Sequence, residues 1–348
     1  MSRSVLFVIR GKLGDTLVAF ATVRRYADAY PDDHVTLLTR AGYAELLRDE
    51  KGIRVLGFSS RLSMLALLLR LRFEPVFDAL LVIWAFGDPV KWIGRMVRAS
   101  RKVYLDSRHA AIYPEFADLS PERLQSEPMW RVARIFEPGL PQPVRLHVPS
   151  LAARRNRGPF VIGVAPLADE PRRIMSPPML ATLLAEISNR HPGLPVRVFV
   201  NESDRGCAEL VAAGLPAGVE FFRFPQLEDL VGGFVDLTHL YCTDTGLYHL
   251  AAAMGVPATV FYGPTQPWKN MLPGQSTSRG VRLAVLGREH CEEKSCVDPV
   301  CIEGAIRGFG RRARPGSLER TPAQCPLRQF PVEKLNEISW HENTDRQA

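Results

Sequence analysis

The sequence predicts an α/β protein built as two doubly wound parallel-sheet domains, and three observations carry that reading. Short apolar runs alternate with longer amphipathic stretches, the pattern of βαβ units whose helices cover both faces of a parallel sheet. The alternation breaks once, at a proline-rich stretch over 138–159, and then restarts. The chain has 348 residues, room for two domains of ~100–200 residues each.

In the first half, strands are predicted at 5–9, 35–38, 55–58, 79–83 and 103–105, with helices at 16–30 (ended by Pro31), 61–72 and 90–97. Pro138, Pro141, Pro143, Pro149 and Pro159, with the arginine cluster at 154–157, deny the next stretch regular structure and mark a linker. It separates a first domain over 1–150 from a second over 158–348. Strands then fall at 160–164, 196–200, 219–222, 240–243 and 258–262, and helices at 178–190, 205–213, 227–232 and 247–254. The tail beyond Gly263 is looser and rich in Arg, Gly and Cys, with one more helix expected after Pro331. Ligands of such sheets sit at the carboxyl ends of strands, so a crevice between the domains is the expected site.

Composition excludes several classes. Apolar residues at 46% and charged residues at 23% are ordinary globular usage, not that of a disordered or fibrous chain. No segment reaches the ~18 uninterrupted apolar residues of a membrane span. The best candidate, 62–69, is bounded by Arg61, Arg70 and Arg72 and reads as a buried helix with arginines at its rim. The apolar run at 5–9 is too short for a signal peptide, and six cysteines are too few for a disulfide scaffold, so a cytoplasmic protein with reduced thiols is expected. Residues 1–150 hold 22 Lys and Arg against 16 Asp and Glu, whereas 151–348 hold 22 against 21. That basic first half suits an anionic partner, but its charges are not interleaved with a nucleic-acid-binding module, so no nucleic acid is expected.

Three segments carry chemistry. The first, Arg10-Gly11-Lys12-Leu13-Gly14-Asp15-Thr16, directly follows the first strand. Gly11 and Gly14 permit a tight turn beside Lys12 and leave space for a ligand. Asp15 opens the helix, either as its N-cap, worth ~1 kcal/mol, or as a general base projecting into the crevice. The spacing of a Walker loop is absent, which excludes nucleotide hydrolysis through a P-loop.

The second segment runs from Thr243-Asp244-Thr245-Gly246-Leu247-Tyr248-His249 to a Gly255-Val256-Pro257 stop. Amides of Thr245, Gly246 and Leu247 at a helix N-terminus make an anion site that His249, one turn on, can reach; the alternative is an Asp-capped helix with an incidental histidine. Gly263-Pro264-Thr265 follows the next strand. The third segment, 166–178, contains Glu170, Arg172 and Arg173, either a guanidinium clamp for a diphosphate or a solvated charged loop.

Taken together, Gly11-Lys12-Leu13-Gly14-Asp15, the run from Asp244 through Ala253 and Gly263-Pro264-Thr265 resemble the ADP-heptose lipopolysaccharide heptosyltransferases, glycosyltransferase family 9, over most of the chain. The resemblance implies a GT-B fold and inverting, metal-independent transfer that requires no cofactor. It implies a nucleotide-sugar donor, ADP-heptose, held by the second domain. Asp15 matches the family's catalytic base. Asp244, Thr245, Gly246, Leu247 and His249 match its donor-diphosphate loop. Arg173 stands where a Lys is usual, and Glu202 lies near an acidic residue that holds the ribose. The family's Asn-Pro-Gly is Ala165-Pro166-Leu167 here, and its Lys-x-Trp-Pro is Arg173-Ile174-Met175-Ser176, which bears on the sugar and the acceptor.

An anionic lipid-linked saccharide acceptor fits the basic first half, and the arginines around 62–69 allow peripheral contact with the inner membrane. His290, Cys291, Cys296, Cys301 and Cys325 crowd the tail with a Cys-x4-Cys-x4-Cys spacing unlike that of zinc knuckles. They read as free thiols or as a structural iron or zinc site; the autotransporter branch of the family uses cysteines to hold iron. Cys207 and Cys242 read as core. The rival readings are another nucleotide-sugar donor or a protein acceptor on the same fold, a sugar-nucleotide 2-epimerase, and a non-catalytic glycosyltransferase subunit.

Overall fold

In a computed structural model the chain divides into two compact units, Met1–Arg154 and Arg155–Ala348. The structure describes residues 2–117, 126–156, 158, 160–265, 272, 275, 278–283, 296–309 and 340–343.

The first unit is a six-stranded parallel sheet. Its strands are β1 (Ser4–Ile9), β2 (His34–Arg40), β3 (Ile53–Phe58), β4 (Phe77–Trp84), β5 (Ala99–Tyr104) and β6 (Glu115–Phe116). They lie in the order β3-β2-β1-β4-β5-β6. Residues 5–9 of the central β1 are fully buried and uniformly apolar, as a strand covered on both faces must be. The short edge strand β6 is tied in by Glu115, which accepts from Arg101 Nε at 2.9 Å. Helices α1 (Leu13–Ala29), α2 (Ala41–Leu47), α3 (Arg61–Arg72), α4 (Asp88–Met96), α5 (Ser126–Phe136) and α6 (Pro149–Ala152) connect and cover the strands. The stretch expected to lack structure thus holds one turn of helix. Buried Glu50 holds it by accepting from Ser150 N at 2.7 Å.

The second unit repeats the plan with β7 (Val161–Ala165), α7 (Pro177–Arg190), β8 (Val196–Val200), α8 (Cys207–Ala213), β9 (Val219–Arg223) and α9 (Leu227–Phe234). There follow β10 (Leu237–Thr243), α10 (Gly246–Met254), β11 (Ala258–Tyr262), β12 (Ser278–Leu283), α11 (Val300–Phe309) and β13 (Trp340–Asn343). The order is β13-β12-β11-β10-β7-β8-β9, parallel except for β13, which runs antiparallel to β12. Cys207 and Cys242 are core residues, and burial pushes both thiols up. The helix expected beyond Pro331 falls outside the described residues.

Each sheet has one place where the strand order reverses: between β1 and β4 in the first unit and between β7 and β10 in the second. At such a point the connections leave toward opposite faces and open a crevice at the carboxyl edge. The chemistry-bearing segments follow β1, β7 and β10.

Candidate active site

In the first unit the backbone leaves β1 at Arg10, whose amide bonds to the carbonyl of Trp84 at the end of β4. A Cβ on Gly11 would stand 2.6 Å from Asp15 Cβ and 2.8 Å from the Trp84 ring, so glycine is needed because two neighbours occupy the space. Helix α1 begins three residues earlier than expected. Lys12 is its N-cap, so Asp15 is the third residue of the helix and not its cap. From there the carboxylate accepts the Lys12 amide at 3.3 Å, the reach-back half of a capping box. The capping reading therefore holds in altered form, and Asp15 is half-buried.

Beside this turn is a cavity of about 470 Å³ along the carboxyl ends of β1, β2 and β3, lined by Arg10, Arg40, Ser59, Ser60, Arg61 and Pro89. Arg10 donates to the carbonyl of Phe86 at 3.1 Å, and among the described residues none of the three arginines has a carboxylate partner. Burial, then the charges of Arg40 and Arg61, lower the Arg10 pKa. Three guanidiniums with no counter-charge make a receptor for an anion. Sequence reasoning missed this trio. Its signal was an arginine at or just past each of the first three strand ends.

In the second unit, β10 ends at Thr243 and Asp244 follows it, both buried, and Thr245 is the N-cap of α10. Asp244 is not the cap, and the Thr245 side chain makes no cap bond. The amides of Gly246 and Leu247 have no intrahelical acceptor and lie at the positive end of the helix dipole. His249, buried, lies on the first turn against the Tyr248 ring, with centroids 4.8 Å apart.

The loop after β7 meets this helix start. It is closed by Met175 N donating to Pro166 O at 2.9 Å and carries a short 3₁₀ turn, Pro171–Arg173. Arg173 Nη1 donates to the Asp244 carbonyl at 3.1 Å and to its carboxylate at 3.2 Å, while Nη2 lies 3.3 Å from Glu170. Glu170 also accepts from Arg172 Nε at 2.7 Å. The structure thus joins the second and third sequence segments into one ion-paired cluster, which the solvated-loop reading does not give. Buried Thr243 Oγ1, Thr265 Oγ1 and Arg173 Nε have no hydrogen-bond partner among the described residues.

Glu202 follows β8, next to β7 in the sheet, and is exposed and paired with Arg223 at 2.7 Å. It is therefore on the expected edge but outside the Arg173 cluster. Gly263 packs against α11, where a Cβ would stand 2.8 Å from Cys301 Sγ. Cys296 Sγ approaches the Asp298 carbonyl at 3.5 Å. Cys291 and Cys325 lie outside the described residues, and no cluster of three metal-ligating side chains occurs among those described.

Comparisons with known proteins agree with this layout. Residues 184–301 match the sequence model of glycosyltransferase family 9 (heptosyltransferase). No curated protein matches the chain. A family 9 glycosyltransferase from Veillonella parvula superposes with a TM-score of 0.68 at 13% identity, covering 80% of this chain and 87% of that one. The ADP-heptose lipopolysaccharide heptosyltransferase II of E. coli gives 0.65 at 17%, covering 90% and 99%. E. coli heptosyltransferase WaaC, in complex with ADP-2-deoxy-2-fluoro heptose, gives 0.62 at 16%, covering 79% and 96%. Residues 184–301 thus carry the signature of glycosyltransferase family 9, on a two-unit α/β fold similar to that of the heptosyltransferases.

Proposed function

We propose that the chain moves a heptose-type sugar from ADP-heptose to an anionic, lipid-linked saccharide of the lipopolysaccharide type, with inversion and without a metal ion. The observation that carries this reading is the Arg173–Asp244 cluster at the open amides of α10, at the point where the second sheet reverses its strand order. A nucleotide diphosphate is a dianion or more, and this cluster offers it a helix N-terminus, a guanidinium with an unpaired Nε and a nearby His249. As the donor bond breaks, charge grows on the leaving diphosphate. Fixed donors aimed at that charge are commonly the largest catalytic contribution, and here they do what a divalent ion does in other transferases. Glu202, once released from Arg223, is the group for the ribose. WaaC binds an ADP-heptose analogue, which supports the choice of donor.

Asp15 supplies the other half of the chemistry. Its carboxylate takes the proton of the acceptor hydroxyl as that oxygen attacks the anomeric carbon, a contribution of ~10²–10⁴-fold. The arginine trio, which begins at the residue before Gly11, takes an anionic group of the acceptor. The protein works at the cytoplasmic face of the inner membrane, where such acceptors are assembled.

A calorimetric panel of ADP, UDP, GDP and their sugars tests the reading. Selective binding of ADP compounds, undiminished by EDTA, is the expected result. Preference for UDP overturns the donor, and no binding by any of them overturns the reading as a transferase of nucleotide sugars.

A further inference from the structure

We propose that helix α3 is a membrane-docking element that lays an apolar ridge, bordered by arginines, onto an anionic lipid leaflet. The inference stands on the surface of α3 and on none of the donor chemistry.

Residues 62–69 were expected to be buried, and the structure corrects this: α3 is apolar on two opposite faces. Met64, Leu68 and Leu71 point into the unit and are buried. The other face carries Leu62, Ala66, Leu69 and Phe73, spaced i, i+4, i+7 and i+11, which at 3.6 residues per turn places them along one line. All four are exposed, Leu62 to 79%, Leu69 to 51% and Phe73 to 85%, and Val76, just beyond the helix, is exposed to 44%. A helix on the surface of a water-soluble unit ordinarily turns its polar residues outward. Here the outward arc is apolar, and the charged residues fall in the seams: by the same helical geometry Arg61 and Arg72 border one side and Arg70 the other.

The charge pattern selects the occupant. Three guanidiniums flank the ridge, and exposed Arg95 lies on α4, the helix packed against α3. The nearby carboxylate Glu74 is bidentate to Arg54 at 2.7 and 2.9 Å and lies 3.9 Å from Arg70 Nε, so one carboxylate is shared between two guanidiniums and the face stays net positive. A second copy of the chain meeting this face about a two-fold axis would bring the arginine borders against each other. An anionic leaflet answers both features: the ridge enters the acyl boundary, and the guanidiniums, on long apolar stems, stay at headgroup level. The helix is also formed in advance of contact, since Ser60 caps it by accepting the Ser63 amide at 3.1 Å.

Sedimentation of the full-length protein with vesicles tests this. The expected result is binding to mixed phosphatidylglycerol–phosphatidylcholine vesicles at low salt, with little binding to pure phosphatidylcholine and a steep fall as salt is raised. Arg70→Gln with Arg72→Gln is expected to weaken binding by roughly 25-fold, about fivefold for each basic group lost near an anionic surface. Leu69→Ser with Phe73→Ser is expected to weaken it at least tenfold. As a check independent of these losses, Phe73→Trp adds emission that brominated phosphatidylglycerol in the vesicles quenches. The proposal is overturned if the wild-type protein ignores phosphatidylglycerol vesicles at low salt, if the variants bind as it does, or if Phe73→Trp is not quenched. It is equally overturned if Phe73→Ser abolishes self-association of a protein that binds no vesicles. These readouts measure lipid contact alone, so their failure would leave the nucleotide panel unaffected, and the reverse.

Discussion

The guanidinium of Arg173 donates to the backbone carbonyl and to the side-chain carboxylate of one residue, Asp244, at 3.1 and 3.2 Å. One arginine therefore locks the loop after β7 to the start of α10, and it is already oriented for the diphosphate proposed to bind there. Arg173→Ala removes both the lock and the cation and leaves the buried Asp244 carboxylate without this partner. Affinity for ADP is expected to fall about 10- to 100-fold, given ~1.5–3 kcal/mol for a charge-assisted hydrogen bond. Arg173→Lys should recover part of the loss, since an ammonium cannot span two acceptors as the planar fork does. Calorimetry on both variants measures this.

Asp15→Asn should lower the transfer rate by ~10²–10⁴-fold and leave ADP affinity near the wild-type value, because an amide can still accept the Lys12 amide but cannot take the proton. A rate above about a tenth of wild type would reduce Asp15 to a helix-capping residue.

Gly11→Ala tests the close packing at the first turn. The new methyl must displace Asp15 or the rigid Trp84 ring, at a cost of about 1–3 kcal/mol. Since Asp15 is one of the two neighbours, the rate should fall by more than the melting temperature suggests. Paired thermal denaturation and transfer assays show whether it does.

Much of this was legible beforehand. Helix Arg61–Arg72 and the strands Val196–Val200 and Ala258–Tyr262 fall where their periodicity or apolar run put them, because each is bounded by charge, proline or glycine. Helix α5 went unseen because its apolar positions are interrupted by Glu127, Arg131 and Arg134, and its burial is set by the strands it packs on. At the site, Arg173 and Asp244 were both singled out, but the contact between residues 71 positions apart is a product of β7 lying beside β10. The arginine trio was invisible for the same reason: Arg10, Arg40 and Arg61 come together only when β1, β2 and β3 are laid side by side.

Acid should weaken the second unit as His239 is forced to take up a proton. Burial, reinforced by the charges of His191 and Arg279, holds His239 down at about 4, with its Nε2 2.8 Å from Thr259 Oγ1. In the unfolded chain it protonates near 6.5, so stability is lost as pH falls from about 6.5 toward 4, by about 3 kcal/mol. In the first unit, bonds from Arg3 and Tyr26 outweigh burial and hold Asp33 below the usual carboxylate range. Its contribution is present above about pH 4 and is lost only as pH falls further. His239→Gln should flatten the loss between pH 6.5 and 4 in urea denaturation of the whole chain.

Arg40→Ala should raise the KM for an anionic acceptor about 10-fold or more, the loss of one charge-assisted contact, with ADP affinity unchanged. Acceptor-dependent kinetics at saturating donor measure it.

That same substitution is expected to do something a lost contact does not, and raise the melting temperature. Guanidiniums gathered with no carboxylate partner among the described residues repel one another, and the charges of Arg40 and Arg61 add to burial in lowering the affinity of Arg10 for its proton. If the trio takes an acceptor as proposed, the domain holds itself under electrostatic tension until that anion relieves it, and selection for tighter folding and for catching the acceptor pull this corner of the protein in opposite directions.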